Sequence, residues 1–122
     1  MDIEASIAAN FADYPKGTIH GFMEDHVCTF YLSGSIDMRY AKDLQKLLRT
    51  VIDQLGMSST IIIDMRYVDY ISSTGVGAFV TSLVEAKRRD MTLKLRDMQP
   101  KVSAIFELLG FLGFFKEAPT HG

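Results

Sequence analysis

Helices alternating with short apolar strands predict a single α/β domain with a mixed, mostly parallel sheet. Three observations carry that reading. Ile61, Ile62 and Ile63 form an unbroken β-branched run, the pattern of a strand covered on both faces. From Val76 the period changes, and Val76, Phe79, Val80, Leu83 and Val84 recur at the spacing of an amphipathic helix. Between the two periods stand Ser72, Ser73 and Thr74, followed by Gly75 and Gly77. The hydroxyls fall where a helix leaves its first backbone N–H groups unpaired, a place that suits negative charge.

The remaining elements follow in order. Residues 1–17 have no strong period and end in the turn chemistry of Asp13-Tyr14-Pro15-Lys16-Gly17; a short strand, a docked helix and a mobile arm all fit. Thr18–Met23 and Val27–Leu32 read as an antiparallel hairpin around Glu24-Asp25-His26, with Cys28, Phe30 and Leu32 on one face. Ser33-Gly34-Ser35-Ile36 reads as a tight exit, with Asp37 as N-cap of the next helix. That helix is expected over Met38–Leu55 on a stripe of Ala41, Leu44, Leu48, Val51, Ile52 and Leu55, with Gly56 left-handed at its end.

The strand beginning near Thr60 is expected to stop at Asp64, before a short loop and the hydroxyls. The helix after them ends near Arg88 and Arg89, cations suited to that terminus. Thr92–Arg96 alternates as another strand, and Pro100 fits the first turn of a helix carrying Val102, Ile105, Phe106 and Leu109 and ending at Gly110. Phe111, Leu112, Phe114 and Phe115 read as a last strand or an apolar tail closing the core, and Lys116–Gly122 as frayed. The order is β-β-α-β-α-β-α-β with right-handed crossovers. The domain is expected over 18–116, with 1–17 of undecided structure and 117–122 a flexible tail.

Composition narrows function. At 122 residues, 48% hydrophobic and 23% charged, the chain suits one soluble domain with a real core. A net charge of −2 argues against nucleic acid, which calls for a basic face. Its single cysteine, Cys28, excludes an intramolecular disulfide and reads as a buried, inert thiol. The start Met-Asp-Ile-Glu-Ala-Ser lacks the basic and apolar regions of a signal peptide, and no apolar run approaches the ~18–20 residues of a membrane span. A cytoplasmic location without membrane contact is the expectation.

The chemistry narrows further. A serine-hydrolase elbow needs Gly-x-Ser-x-Gly, and neither Ser73 nor Thr74 has that context; the histidines, His20, His26 and His121, lie elsewhere in the sequence. The phosphate-loop pattern is absent, and Gly75-Val76-Gly77 alone is weak. No metal-ligand spacing occurs, and no cofactor is expected. A receiver-like phosphoacceptor at Asp64 is a competitor, although the adjacent acidic pair of such domains is missing and Lys94 lies inside a strand. The hydroxyl cluster has a plain role as helix caps, each able to pair one orphan amide for ~1 kcal/mol. One hydroxyl suffices for that. A phosphoryl group on another would add roughly −1.5 to −2 charge at pH 7 at a helix end that tolerates it.

Asp64–Leu83, Asp-Met-Arg-Tyr-Val-Asp-Tyr-Ile-Ser-Ser-Thr-Gly-Val-Gly-Ala-Phe-Val-Thr-Ser-Leu, resembles the signature of STAS domains, the fold of anti-sigma factor antagonists. Leu32-Ser-Gly34-Ser-Ile36-Asp37 resembles the family's Leu-x-Gly-x-Leu/Ile-Asp, and Val102–Phe115 its closing helix, glycine and apolar segment. The resemblance covers residues 18–116. It implies a non-enzymatic partner switch: the unmodified protein binds an anti-sigma factor that is also a serine/threonine kinase, phosphorylation releases it, and a PP2C-type phosphatase resets it. It implies Thr74, before Gly75, as the preferred acceptor, Ser73 as a minor one, and Asp37, Ser72, Ser73, Thr74 and Gly75 as the partner-facing surface. A homodimer is compatible with it. Where the antagonists usually carry Asp, two places before the implied acceptor, this chain has Ser72. The alternative is a STAS scaffold that is not phosphorylated.

Overall fold

The computed structural model describes residues 1–115; the tail expected to fray, Lys116–Gly122, and His121 within it lie outside the described residues. Among the described residues four strands form one sheet in the order β1-β2-β3-β4: β1 (Ile19–Glu24), β2 (Val27–Ile36), β3 (Thr60–Ile71) and β4 (Thr92–Arg96). β1 pairs with β2 antiparallel, and β2–β3 and β3–β4 are parallel. The mixed α/β fold is therefore the one the sequence predicts.

Among the described residues four α-helices accompany the sheet: α1 (Ile3–Phe11), α2 (Met38–Gln54), α3 (Ser73–Arg88) and α4 (Pro100–Leu108). Right-handed crossovers between neighbouring parallel strands put α2 and α3 on the same face, where they pack together, with α1 against α2 and α4 against α3. The core fills the space between this layer and the sheet. Phe30, Leu44, Leu48, Ile61, Ile63, Phe79 and Phe106 are all fully buried in it. On the other face no helix packs among the described residues, so Phe22 is exposed and Tyr31, Ile62 and Lys94 are half-buried. The isoleucine run is thus covered by helices on one side only, a correction to the two-sided covering expected.

The undecided N-terminal segment is a docked helix. Asp2 caps α1 by accepting from the Ala5 amide at 3.0 Å, and Ile3 and Phe11 are buried. A Cβ at Gly21 would come within 2.7 Å of the Phe30 ring and 3.1 Å of Ile3, so glycine lets α1 lie close to the sheet. Behind it the Tyr14 hydroxyl donates to Asp43 at 2.7 Å, and the Arg39 guanidinium sits 4.4 Å from the Tyr14 ring centroid.

Other expectations need correction. β2 runs on through Ser33–Ile36, and the hairpin turn is the pair Asp25-His26, with Glu24 opposite Val27. β3 continues seven residues past Asp64. α2 ends at Gln54 with an extended Leu55, and the left-handed residue beyond it is Ser58 rather than Gly56. α4 ends at Leu108, two residues before the expected Gly110, which is left-handed. The last apolar residues form a 3-10 turn (Leu112–Phe114), not a strand. Phe115 is buried, its ring 5.5 Å from Phe106 and edge-on, while Phe114 faces out at 60% exposure.

Candidate functional site at the start of α3

Ile36 and Ile71 are register partners, so β2 and β3 end side by side and the two helix starts that follow them are neighbours. The Ser72 amide donates to the Ile36 carbonyl at 2.9 Å and locks the two ends together. At the α2 start the Asp37 carboxylate accepts from the Tyr40 amide at 2.9 Å. At the α3 start the Ser72 hydroxyl oxygen accepts from the Gly75 amide at 3.0 Å. Gly75 is needed here because a Cβ would lie 2.7 Å from Ile71 and 3.0 Å from Ile36, and the first turn of α3 could not rest on the strand ends.

Asp37, Ser72, Ser73 and Thr74 therefore share one surface at the carboxyl ends of the parallel strands, whereas Gly75, expected on that surface, is buried against the strand ends. Of the three hydroxyls only Ser72 caps, and it is half-buried; Ser73 and Thr74, the first two residues of the helix, are both exposed. No acidic residue lies in the first turn, whereas Lys87 and Arg88 complement the other end. The α3 start is a positive helix end with a neutral cap and two free side-chain hydroxyls.

The structure adds residues that sequence reasoning missed. β3 carries one extra residue between Asp64 and Tyr67 against β2, and another between Val68 and Tyr70. Each is a bulge, which turns two successive side chains outward. Arg66 and Tyr67 are both exposed, then Asp69 and Tyr70, with Met65, Val68 and Ile71 buried. Tyr67 is 64% and Tyr70 52% exposed, and Asp69 accepts from the Ser35 hydroxyl at 3.1 Å. The buried positions at every third residue were the available signal.

Asp64, the competing acceptor, is 2% exposed. One carboxylate oxygen accepts from the Arg66 amide at 2.9 Å and the other from Arg96 Nε at 3.1 Å, while Arg96 also donates to the Tyr31 hydroxyl at 3.3 Å. Both its oxygens are occupied inside the fold. His26 lies at the opposite end of the sheet from the hydroxyls, where its carbonyl accepts from the Thr60 amide. Among the described residues no cluster of His, Cys, Asp and Glu has the form of a metal site, and no helix is long and apolar enough to cross a membrane. Burial pushes the Cys28 thiol up to about 12, which fits the inert reading.

The model of the STAS domain family matches residues 23–122. The chain belongs to the STAS domain family. α1 and the first part of β1 precede the matched residues. A relative from Bordetella bronchiseptica, BtrV, named for anti-sigma factor antagonism, is 28% identical over 87 residues, which is 71% of this chain and 73% of that protein. The anti-sigma factor antagonist SpoIIAA in its unphosphorylated form superposes with a TM-score of 0.71 at 21% identity, covering 82% of this chain and 87% of SpoIIAA. Bacillus SpoIIAA in its phosphorylated form gives 0.64 at 19% identity, over 82% and 90% of the two chains. At those identities the two structures establish a shared fold.

Proposed function

We propose that this STAS domain is an anti-sigma factor antagonist whose partner binding is switched by phosphorylation of the exposed pair Ser73–Thr74. One observation carries the reading: both hydroxyls stand free at a positive helix end whose cap is already supplied by neutral Ser72. The hydroxyl oxygen takes the γ-phosphoryl group of ATP and gives up its proton, and ADP leaves. The added charge is tolerated by the helix dipole, so the fold persists while the partner-facing surface changes sign. The partner of the unmodified form is an anti-sigma factor of the serine/threonine kinase type, and a PP2C-type phosphatase restores it. The similarity to BtrV and the fold shared with SpoIIAA, which exists in phosphorylated and unphosphorylated forms, support this role. Thr74 is the acceptor that the positional resemblance puts first; Ser73 is equally open, so the experiment separates them.

That experiment incubates the protein with ATP and each kinase-type anti-sigma factor from its own genome, then maps the phosphopeptide in the parent, Ser73→Ala, Thr74→Ala and double variants. One single variant abolishes modification, and phosphorylation weakens binding at least tenfold. Modification of the double variant, or equal affinity of both forms for the kinase, would sink the switch. Ser72 in the usual aspartate position favours one second reading, a scaffold that is never phosphorylated, and a protein left unmodified by every such kinase would establish it. The receiver-like reading at Asp64 fits poorly with a carboxylate whose two oxygens are both engaged; an acid-stable phosphate on the protein would end it.

A further inference from the structure

Between Arg39 and Arg49 the exposed positions of α2 are Arg39, Lys42, Lys46 and Arg49, and every one is a cation. At 3.6 residues per turn the four fall within an arc of about 80°, opposite the buried Leu44, Leu48 and Val51. They form one basic ridge on a chain whose net charge is −2. Among the described residues none of the four lies in a salt bridge, whereas at the end of α3 Arg88 pairs with Glu85 at 3.1 Å and Arg89 with Asp53 at 2.8 Å. Like charges three and four residues apart weaken a helix, so the ridge opposes the fold instead of supporting it. Arg39 lies two residues from Asp37. The ridge thus begins at the surface that Asp37 shares with Ser73 and Thr74, and it runs on for about 15 Å at 1.5 Å per residue.

We infer that this ridge docks an acidic face of the kinase-type anti-sigma factor and steers its approach, an inference that rests on the switch proposed above. The sign of the switch agrees with it. Phosphorylation adds negative charge at the neighbouring helix start, which repels an acidic partner and would attract a basic one. Other anionic surfaces fit less well. α2 exposes no large apolar side chain between Arg39 and Gln54, so it has nothing to insert into a bilayer as interfacial helices do. A depression of about 480 Å³ beside the ridge is lined by Asp13 and Asp43 as well as Lys42 and Lys46. Those carboxylates would meet the uniform charge of lipid or nucleic-acid phosphates, whereas a protein can set its own cations against them.

Stopped-flow association of the full-length protein with each kinase-type anti-sigma factor from its own genome tests this, with ADP present so that no phosphoryl transfer occurs. The parent is compared with the charge reversal Lys42→Glu/Lys46→Glu and the conservative Lys42→Arg/Lys46→Arg. Both side chains are exposed, so all three proteins should share one thermal midpoint. At low salt the reversal should associate at least tenfold more slowly with little change in dissociation, the mark of steering by charge. High salt should close the gap by screening, and the arginine variant should match the parent. Equal association rates for parent and reversal, or a gap that high salt does not close, would overturn the proposal and leave the switch standing. A parent that binds no such kinase would remove both. Binding of the parent, but not of the reversal, to phosphatidylglycerol vesicles or to random duplex DNA would also overturn it, because the ridge would then serve a lipid or a nucleic acid.

Discussion

The two halves of β3 obey different rules. Over Thr60–Asp64 the strand is paired on both sides, to β2 and to β4, and Ile61 and Ile63 alternate into the core. Over Met65–Ile71 it has β2 alone as its strand partner among the described residues and carries two bulges, which put Arg66, Tyr67, Asp69 and Tyr70 on the surface. One half is held by neighbours on both edges and anchors the fold. The other holds only every third residue inside and presents the rest at the surface, on the stretch of strand that leads to Ser73 and Thr74. The same chain segment thus supplies both the rigid scaffold and the surface it displays.

The sharpest way to break this contrast is at the boundary, Asp64. Its pair with Arg96 is buried, with side chains 2% and 8% exposed, so Asp64→Ala strands a guanidinium inside the protein. Removing one partner of such a pair costs about 3–5 kcal/mol. Urea unfolding should show a midpoint shift of that size, while a loss under 1 kcal/mol would mean that water reaches Arg96 and the anchored half is looser than described.

Cys28 reports the same half, since it is the register partner of Ile61. With its thiol pushed from the ordinary 9.0 up to about 12 by burial, it should ignore a disulfide reagent at pH 8 until the protein is unfolded. The linkage has one sign. The folded pKa is raised, so the contribution is fully present below pH 9 and is lost as pH rises toward about 12. Tyr14 and Tyr40 are also raised, each first by burial, and push in the same direction. Stability should therefore decline from pH 9 upward; a flat profile to pH 11 would show that the thiol is not buried from water.

Gly75 tests the junction that follows the bulged half. A methyl group there meets Ile71 and Ile36 at 2.7 and 3.0 Å. Overpacking of that kind costs typically about 1–3 kcal/mol, and Gly75→Ala should lose stability in that range while moving the first turn of α3. An unchanged melting temperature would mean that the isoleucines rotate aside and that the hydroxyls are held less firmly than the geometry indicates.

Much of this was legible in the sequence, and the exceptions have physical causes. The change of period at Val76, the cap at Asp37 and the alternation of Cys28, Phe30 and Leu32 each reflect one dominant interaction, and each appears in the structure; of the three hydroxyls that read alike as caps, Ser72 alone is one. The outer half of β3 reads as a loop because two bulges destroy the period of two that identifies a strand. α1 has its signal, with Ile3, Ile7 and Phe11 four apart after Asp2, but nine residues make it short, and what holds it is tertiary packing on β1 and on Tyr40 of α2. Phe111–Phe115 has apolar residues at four of five positions, a composition that fits a strand, a tail or the observed 3-10 turn. At the site, hydroxyls before a helix are visible in one dimension. The paired exposure of Tyr67 and Tyr70 leaves only a faint trace there, the every-third spacing of Met65, Val68 and Ile71, because it depends on the register with β2.

The smallest expected effect on stability separates the halves most clearly. Tyr67 and Tyr70 are 64% and 52% exposed, so Tyr67→Ser and Tyr70→Ser should each change unfolding free energy by less than ~0.5 kcal/mol, the usual range for surface positions. Exposed aromatics beside a partner-facing surface are the residue type that dominates interface energetics, with truncations costing about 2 kcal/mol or more at such positions. If the bulged half exists to present them, calorimetric titration with the kinase-type anti-sigma factor should show at least one of the two variants binding tenfold more weakly while both melt like the parent. Loss of stability without loss of binding would reverse the assignment. The bulges would then serve to pack β3 against α4, where Gln99 already donates to the Arg66 carbonyl at 2.9 Å, and the partner would be recognised by the helix starts alone.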